Sequence, residues 1–140
     1  MLSGITLAQV GLGSVHGLAS PLGAFFPVSH GLVCGSLLAS ATKVNIDAMR
    51  HREPDNKALN KYAIVGRLLS SRMDLDNEQA IAQLIEQLEA WSTTLRMPTL
   101  HELGIKKKDV SKIISNSRGN SMKTNPIMLT DNEIESILKL

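Results

Sequence analysis

Residues 11 to 31 read Gly11-Leu-Gly-Ser-Val-His16-Gly-Leu-Ala-Ser20-Pro-Leu-Gly-Ala-Phe-Phe-Pro-Val-Ser-His30-Gly31, and this stretch is the most informative part of the chain. Its two histidines stand 14 positions apart, and imidazole nitrogen binds divalent iron, zinc and related ions. A helix that ends near Gly23, followed by a short loop, could bring both rings to one point. Spacing alone favours two unrelated polar histidines at helix ends, because histidine pairs at arbitrary separation are common. The residues around the histidines change this interpretation.

The frame of glycines and histidines resembles the metal-binding segment of one enzyme family. That family is the iron-dependent (group III) alcohol dehydrogenases, which include lactaldehyde reductase and butanol dehydrogenases, and the matching positions are Gly13, His16, Gly23, His30 and Gly31. Further counterparts in the family's C-terminal half are Lys61-Tyr62, Met97-Pro98, Leu103-Gly104 and Ser121-Met-Lys-Thr-Asn-Pro126. The resemblance therefore covers nearly all of the 140 residues.

The resemblance implies that this chain is one part of a longer enzyme. In the family, four side chains hold the metal: an aspartate and a histidine from an upstream segment, and two later histidines. His16 and His30 match the later pair, and the upstream pair has no counterpart here. We therefore expect residues 1–140 to form a metal-binding helical domain, the C-terminal part of a parent protein whose N-terminal dinucleotide-binding domain is absent. With two of four ligands, we expect the chain alone to bind metal weakly.

The parent chemistry implied by the resemblance is hydride transfer between an alcohol or aldehyde and a nicotinamide cofactor, NAD(P). Fe²⁺ (or Zn²⁺) would polarise the substrate oxygen as a Lewis acid, and the nicotinamide carries the hydride. Because the chain supplies half of the metal site and no visible dinucleotide site, we expect it to contain no catalytic residue, to bind no nicotinamide by itself and to be inactive alone.

Two positions depart from the family's pattern. Ser20 stands one helical turn after His16, where the family often has a histidine near the nicotinamide and substrate that helps to relay a proton. Serine does not titrate near neutral pH, so that role would be weakened or passed to water. Ser29 stands where proline is usual. The loss at Ser20 favours an alternative function, a non-catalytic helical interaction module that kept the fold without the activity.

The composition excludes several other classes of function. The net charge is +2 and the chain has one Trp, one Tyr and two Phe, so it offers no aromatic platform or phosphate-tracking surface for nucleic acid. The N-terminus has no basic region typical of a secretory signal, and prolines and glycines interrupt the apolar stretch at residues 18–41, which argues against a membrane span. We expect a cytoplasmic protein with no nucleic-acid or membrane partner, which forms a homo-oligomer or pairs with a separate N-terminal domain.

The single cysteine and the remaining histidines have simple interpretations in the sequence. Cys34 is the only cysteine, which excludes an intrachain disulfide, and its apolar surroundings predict a buried small hydrophobic residue rather than a nucleophile. We assign no metal role to His51 or His101. The pair Gly11-x-Gly13 is not a dinucleotide loop, because the third glycine of that motif would fall at His16 and no strand precedes it.

The hydrophobic pattern predicts an all-α, bundle-like domain of six to eight helices. Strand-like alternation is scarce, whereas Ile81, Leu84, Ile85, Leu88 and Trp91 share one helical face. The predicted helices run from Ile5 to about Leu22 and from His30 to about Asn45, begin near Asn56, follow an N-cap at Asp76, and follow a capping box at Thr130. Connections are predicted at residues 47–55, 70–75, 95–98 and 116–127. The glycines at positions 11, 13, 17, 31 and 35 suggest close approach to another helix or to a ligand.

Overall fold

Seven α-helices and one short 3₁₀ helix make up residues 12–140, the part of the chain that this computed structural model describes. They are α1 (Gly13–Phe25), α2 (His30–Arg52), α3 (Lys57–Ser70), α4 (Asn77–Thr94), the 3₁₀ helix (Lys107–Asp109), α5 (Val110–Asn116), α6 (Asn120–Lys123) and α7 (Asp131–Leu138). No strand occurs in this range. The prediction of an all-α domain with six to eight helices is confirmed.

Three helices begin where the sequence predicts a helix start, and two of their caps, Asp76 and Thr130, were themselves predicted. The Asp76 carboxylate accepts a hydrogen bond from the backbone N–H of Gln79 at 2.8 Å, and the Thr130 hydroxyl accepts one from Glu133 at 3.3 Å. In both helices the third residue bonds back to the cap, which completes a capping box. Asn56 caps α3 through the backbone N–H of Ala58. Each such cap stabilises its helix by about 1 kcal/mol, since it satisfies an otherwise unpaired N–H.

The bounds of the first two helices differ from the prediction. Gly13 has a φ of +76°, a left-handed conformation, so no continuous helix runs from Ile5 through this position; residues 1–11 lie outside the described range. Helix α1 continues to Phe25 and contains Pro21. Helix α2 extends to Arg52 instead of ending near Asn45, and residues 47–52 are therefore helix and not connection.

The extension of α2 has a tertiary cause. Ile46 and Met49 are fully buried on this part of the helix, so the core continues past the predicted end. At its last residue, Arg52 Nη2 donates to the carbonyl of Met128 at 2.8 Å and to Glu133 Oε2 at 2.9 Å. These contacts join the end of α2 to the start of α7, and no local sequence pattern predicts them.

The core is built around α2, which contacts α1, α4 and α7. The largest fully buried side chains are Leu18, Leu22, Leu37, Ile46, Met49, Ile81, Ile105, Ile113, Leu129, Ile134, Ile137 and Leu138. Complete burial of such a side chain contributes roughly 1.5–3 kcal/mol relative to exposure. On α4, Trp91 continues the predicted apolar stripe but is 43% exposed, and Leu68 on α3 is 61% exposed. Apolar periodicity therefore identified these helices without fixing the extent of their buried faces.

Glycine allows close approach at some of the predicted positions. A Cβ added at Gly17 on α1 would lie 3.1 Å from the Met122 side chain on α6, and one at Gly35 would lie 2.7 Å from Met97 Sδ. A Cβ at Gly31 would meet nothing within 4 Å, so no described helix packs closely there, and close approach of a ligand to Gly31 stays a prediction. Gly11 lies outside the described residues. Within residues 12–140, no helix combines the length and the apolar character that crossing a membrane requires.

Candidate metal centre

His16 and His30 come together on two different helices. His16 lies half-buried in the first turn of α1, and His30 is the exposed first residue of α2. Their ring centroids are 5.3 Å apart, with an angle of 53° between the ring planes. The two histidines singled out in the sequence are therefore neighbours in space.

The short segment at residues 26–29 fixes where α2 begins. The N–H of Phe26 donates to the carbonyl of Leu22 at 3.0 Å, and the N–H of Val28 donates to the carbonyl of Phe26 at 2.8 Å. The side chains of Phe26 and Val28 pack against the core. Because this segment is bonded and packed, His30 is held beside His16 and does not sit on a free loop.

Cys34 is a third member of the same group. Its Sγ lies 3.5 Å from His30 Nε2, and one ligand atom from each of His16, His30 and Cys34 lies within 4.8 Å of the others. These three residues are called the histidine–cysteine cluster below. Among the described residues, it is the one group of three or more His, Cys, Asp or Glu side chains that converges in this way.

The sequence-based interpretation of Cys34 was incomplete. The residue does pack partly buried against the core, as a small apolar side chain would, and burial raises the pKa of its thiol. Its sulfur, however, also faces the ring of His30. The spacing of four residues between His30 and Cys34 puts both side chains on one helix face, and this signal was present in the sequence.

The two serines that depart from the family's pattern lie between His16 and His30 in the chain. Ser20 is exposed one turn after His16 on α1. Ser29 precedes α2 with φ −74° and ψ 139°, and its side chain makes no capping hydrogen bond. Proline also adopts a φ near −65°, so the backbone at Ser29 has the conformation that a proline would take.

The other two histidines do not join the cluster. His51 lies exposed in the last turn of α2, with Nδ1 2.7 Å from the carbonyl oxygen of Asp47. His101 is exposed in the turn that precedes Gly104. Asp47, placed by sequence in or near a connection, is instead part of α2. No carboxylate belongs to the group that converges around His16 and His30 in residues 12–140.

A set of polar residues, two buried and one half-buried, holds the start of α1 in place. Asn125 Oδ1 accepts from the backbone N–H of Ser14 at 2.9 Å and from Asn45 Nδ2 at 3.3 Å, and Asn125 Nδ2 donates to Asn45 Oδ1 at 2.7 Å. Asn45 Nδ2 also donates to Ser14 Oγ at 3.1 Å. We call Ser14, Asn45 and Asn125 the asparagine clamp. It ties α1 to α2 two residues before His16. Asn125 belongs to the Ser121–Pro126 motif, which by itself does not predict this role.

Comparisons with known sequences all find the same kind of protein. The sequence profile described as "Fe-containing alcohol dehydrogenase family, C-terminal" matches residues 1–140. The chain is 29% identical over 111 residues to lactaldehyde reductase of Escherichia coli (strain K12), with 78% of this chain and 27% of that protein covered. It is 28% identical over 141 residues to alcohol dehydrogenase 4 of Schizosaccharomyces pombe, with 99% of this chain and 30% of that protein covered.

A solved structure supports the same fold. The crystal structure of a 1,3-propanediol oxidoreductase superposes with a TM-score of 0.77 over 91% of this chain and 32% of that chain, at 24% sequence identity. At this level of identity the likeness concerns the fold alone. The chain thus spans about a third of the length of the proteins that it matches.

Proposed function

Because the chain belongs to the Fe-containing alcohol dehydrogenase family, as its C-terminal domain, we propose that residues 1–140 are the metal-binding domain of such an enzyme. The parent enzyme would transfer a hydride between an alcohol or aldehyde and NAD(P), with a separate N-terminal domain binding the dinucleotide. His16 and His30 would be metal ligands. The observation that carries this proposal is the convergence of the two histidines from separate helices.

The geometry of the pair fits a shared ion. Each imidazole nitrogen lies about 2 Å from a tetrahedral zinc ion, so two imidazoles on one ion place their ring centroids about 5 Å apart. The observed centroid distance is 5.3 Å. His30 is exposed and His16 is half-buried, so solvent reaches both residues and an ion can reach them without unfolding. Neutral imidazole suits iron and zinc alike.

The chain's own residues would hold the site in place. The metal, when bound, supplies Lewis-acid polarisation of the substrate oxygen. The asparagine clamp fixes the first turn of α1, which carries His16. The packed side chains of Phe26 and Val28 fix the first turn of α2, which carries His30. Ser20 shares a helix face with His16 and would orient a bound group by hydrogen bonding, without exchanging a proton near neutral pH.

One observation favours a second candidate function. Ser20 is exposed and replaces a histidine that the resembling enzymes often use. A domain that kept His16 and His30 by descent but lost the proton relay would act as a helical interaction module without catalysis. Under that alternative, metal binding would have no consequence for a reaction, and a parent protein with its dinucleotide domain would show no NAD(P)-dependent alcohol oxidation.

Calorimetric titration tests the metal site directly. Zn²⁺ and, without oxygen, Fe²⁺ are titrated into the metal-free chain and into His16→Ala and His30→Ala. We expect each substitution to abolish most of the metal binding that the unsubstituted chain shows. His101→Ala is the matched control, because that histidine is exposed and lies outside the cluster. Unchanged binding in both ligand variants would overturn the assignment of His16 and His30.

A further inference from the structure

Cys34 lies in the cluster, and the proposed function makes no use of it. Its Sγ is 3.5 Å from His30 Nε2, and the three residues can each offer a ligand atom within 4.8 Å of the other two. His30 and Cys34 are one turn apart on α2, a spacing that presents two ligands from one helix face. The cysteine sulfur is thus placed where a further ligand to the same ion would stand.

The distances fit one shared ion. With zinc–nitrogen bonds of about 2.0–2.1 Å and a zinc–sulfur bond of about 2.3 Å, ligand atoms on a tetrahedral zinc ion lie about 3.3–3.7 Å apart. The separation of His30 Nε2 and Cys34 Sγ, 3.5 Å, falls in that range. The widest pair, within 4.8 Å, needs to close by about 1 Å, which rotation of the half-buried His16 side chain can supply.

The charge of the donor set points the same way. Two neutral imidazoles leave the charge of a divalent cation uncompensated, and no carboxylate belongs to the cluster in residues 12–140. A cysteine ligand binds as the thiolate and supplies one negative charge at the site. Thiolate is also the softest common protein ligand, and it favours zinc over harder divalent ions.

We propose that Cys34 is a third metal ligand, so that His16, His30 and Cys34 form a His₂Cys site contained in this chain, with a preference for Zn²⁺ over Fe²⁺. This inference rests on the proposed function, since it uses the same two histidines. This chain would then fill three of the four positions of a tetrahedral zinc ion. It also replaces the expectation of a weak two-ligand site, because the described residues supply three donors.

Cobalt absorption tests this inference without any variant. Co²⁺ is added to the metal-free chain under reducing, oxygen-free conditions. Cys34 is the only cysteine of the chain, so a thiolate-to-cobalt charge-transfer band in the near ultraviolet can arise only from this residue. We expect that band to appear at a ratio of one ion per chain and to disappear when Zn²⁺ is added.

Variants then separate the cysteine from the histidines. In Cys34→Ser we expect the band to vanish and Zn²⁺ affinity to fall by at least ~10-fold, since even the loss of a residue that only orients a ligand costs 10- to 100-fold. Fe²⁺ affinity should fall less. Cys34→His should keep Zn²⁺ binding without the band, and His101→Ala should behave as the parent chain. Circular dichroism checks that each variant is folded.

The possible outcomes distinguish the two proposals. The role of Cys34 is refuted if the unsubstituted chain shows no thiolate-to-cobalt band and Cys34→Ser binds Zn²⁺ as tightly as the unsubstituted chain. If His16→Ala then fails to bind Zn²⁺, the histidine site still stands. If the histidine variants bind ions like the parent, the proposed function fails as well. If Fe²⁺ binds more tightly than Zn²⁺ to the parent chain, the stated metal preference is wrong.

Discussion

Two groups of polar residues each link α1 to α2, and they differ in how many of their polar atoms have hydrogen-bond partners. In the asparagine clamp, Ser14 is 2% exposed and Asn45 is 5% exposed, and the side-chain amides of Asn45 and Asn125 bond to each other. The histidine–cysteine cluster includes His16, which follows Ser14 by two residues on α1. His16 is half-buried and His30 is exposed. The contact of Cys34 Sγ with His30 Nε2 at 3.5 Å is the one hydrogen bond found for the cluster in the described residues.

The difference separates a structural role from a binding role. Leaving a buried donor or acceptor unpaired costs about 1–3 kcal/mol, so the clamp is stable only because its members satisfy each other. An exposed imidazole has no such requirement, since water can bond to it. The clamp therefore sets the position of α1, and the cluster keeps nitrogen and sulfur atoms available for a group from outside.

The largest expected effect on folding is at the clamp. Asn125→Ala would remove the acceptor of the Ser14 N–H and both bonds to Asn45, so it should lower the free energy of unfolding by about 3 kcal/mol, since two buried groups lose partners. Urea unfolding followed by circular dichroism measures this.

Asn116→Ala is the control for this substitution. Asn116 is an exposed asparagine whose side chain bonds to the carbonyl of Lys112 on its own helix. Its replacement should change the free energy of unfolding by no more than about 0.5 kcal/mol, as for most surface positions. Equal effects of the two substitutions would show that the clamp is not a structural element.

A smaller effect is expected from metal at the cluster. A ligand that binds the folded state alone raises the free energy of unfolding by about 2.7 kcal/mol when its concentration is 100 times its Kd. Zn²⁺ should therefore raise the thermal midpoint of the parent chain. In His16→Ala the midpoint without metal should stay close to that of the parent, and the shift with Zn²⁺ should be absent.

This result would separate the two groups of residues. A large loss of stability in metal-free His16→Ala would mean that His16 contributes to packing, and this would contradict a binding role separate from structure. An equal Zn²⁺ shift in His16→Ala and the parent would mean that the ion binds elsewhere on the chain. EDTA should reverse the shift in the parent chain.

The smallest effect is expected at the entry to α2. Ser29 has the φ that proline requires, and within residues 12–140 its backbone N–H donates no hydrogen bond. Ser29→Pro should therefore raise the free energy of unfolding by about 0.5 kcal/mol, because it restricts the unfolded chain. Zn²⁺ affinity should not fall. A loss of stability would show that the segment at residues 26–29 needs a conformation that proline excludes.

Local interactions explain what the sequence predicted well. The caps at Asp76 and Thr130 each join a side chain to a backbone N–H three residues later, so the helix starts could be read from neighbouring residues. The spacing of His30 and Cys34 is local in the same sense. The prediction that His16 and His30 share a site came from the family resemblance, because their spacing alone did not support it.

What the tertiary structure decided depends on residues far apart in the chain. Asn125 bonds to residues 80 and 111 positions away, and its partners cannot be identified from a local pattern. The end of α2 at Arg52 depends on burial of Met49 and on bonds to the start of α7. The sequence thus predicted the all-α class, the caps at Asp76 and Thr130 and two histidine ligand candidates, but not every helix or helix boundary. The contacts between turns of different helices depend on packing, because burial of apolar surface stabilises contacts between residues far apart in the chain. No short stretch of sequence specifies such contacts.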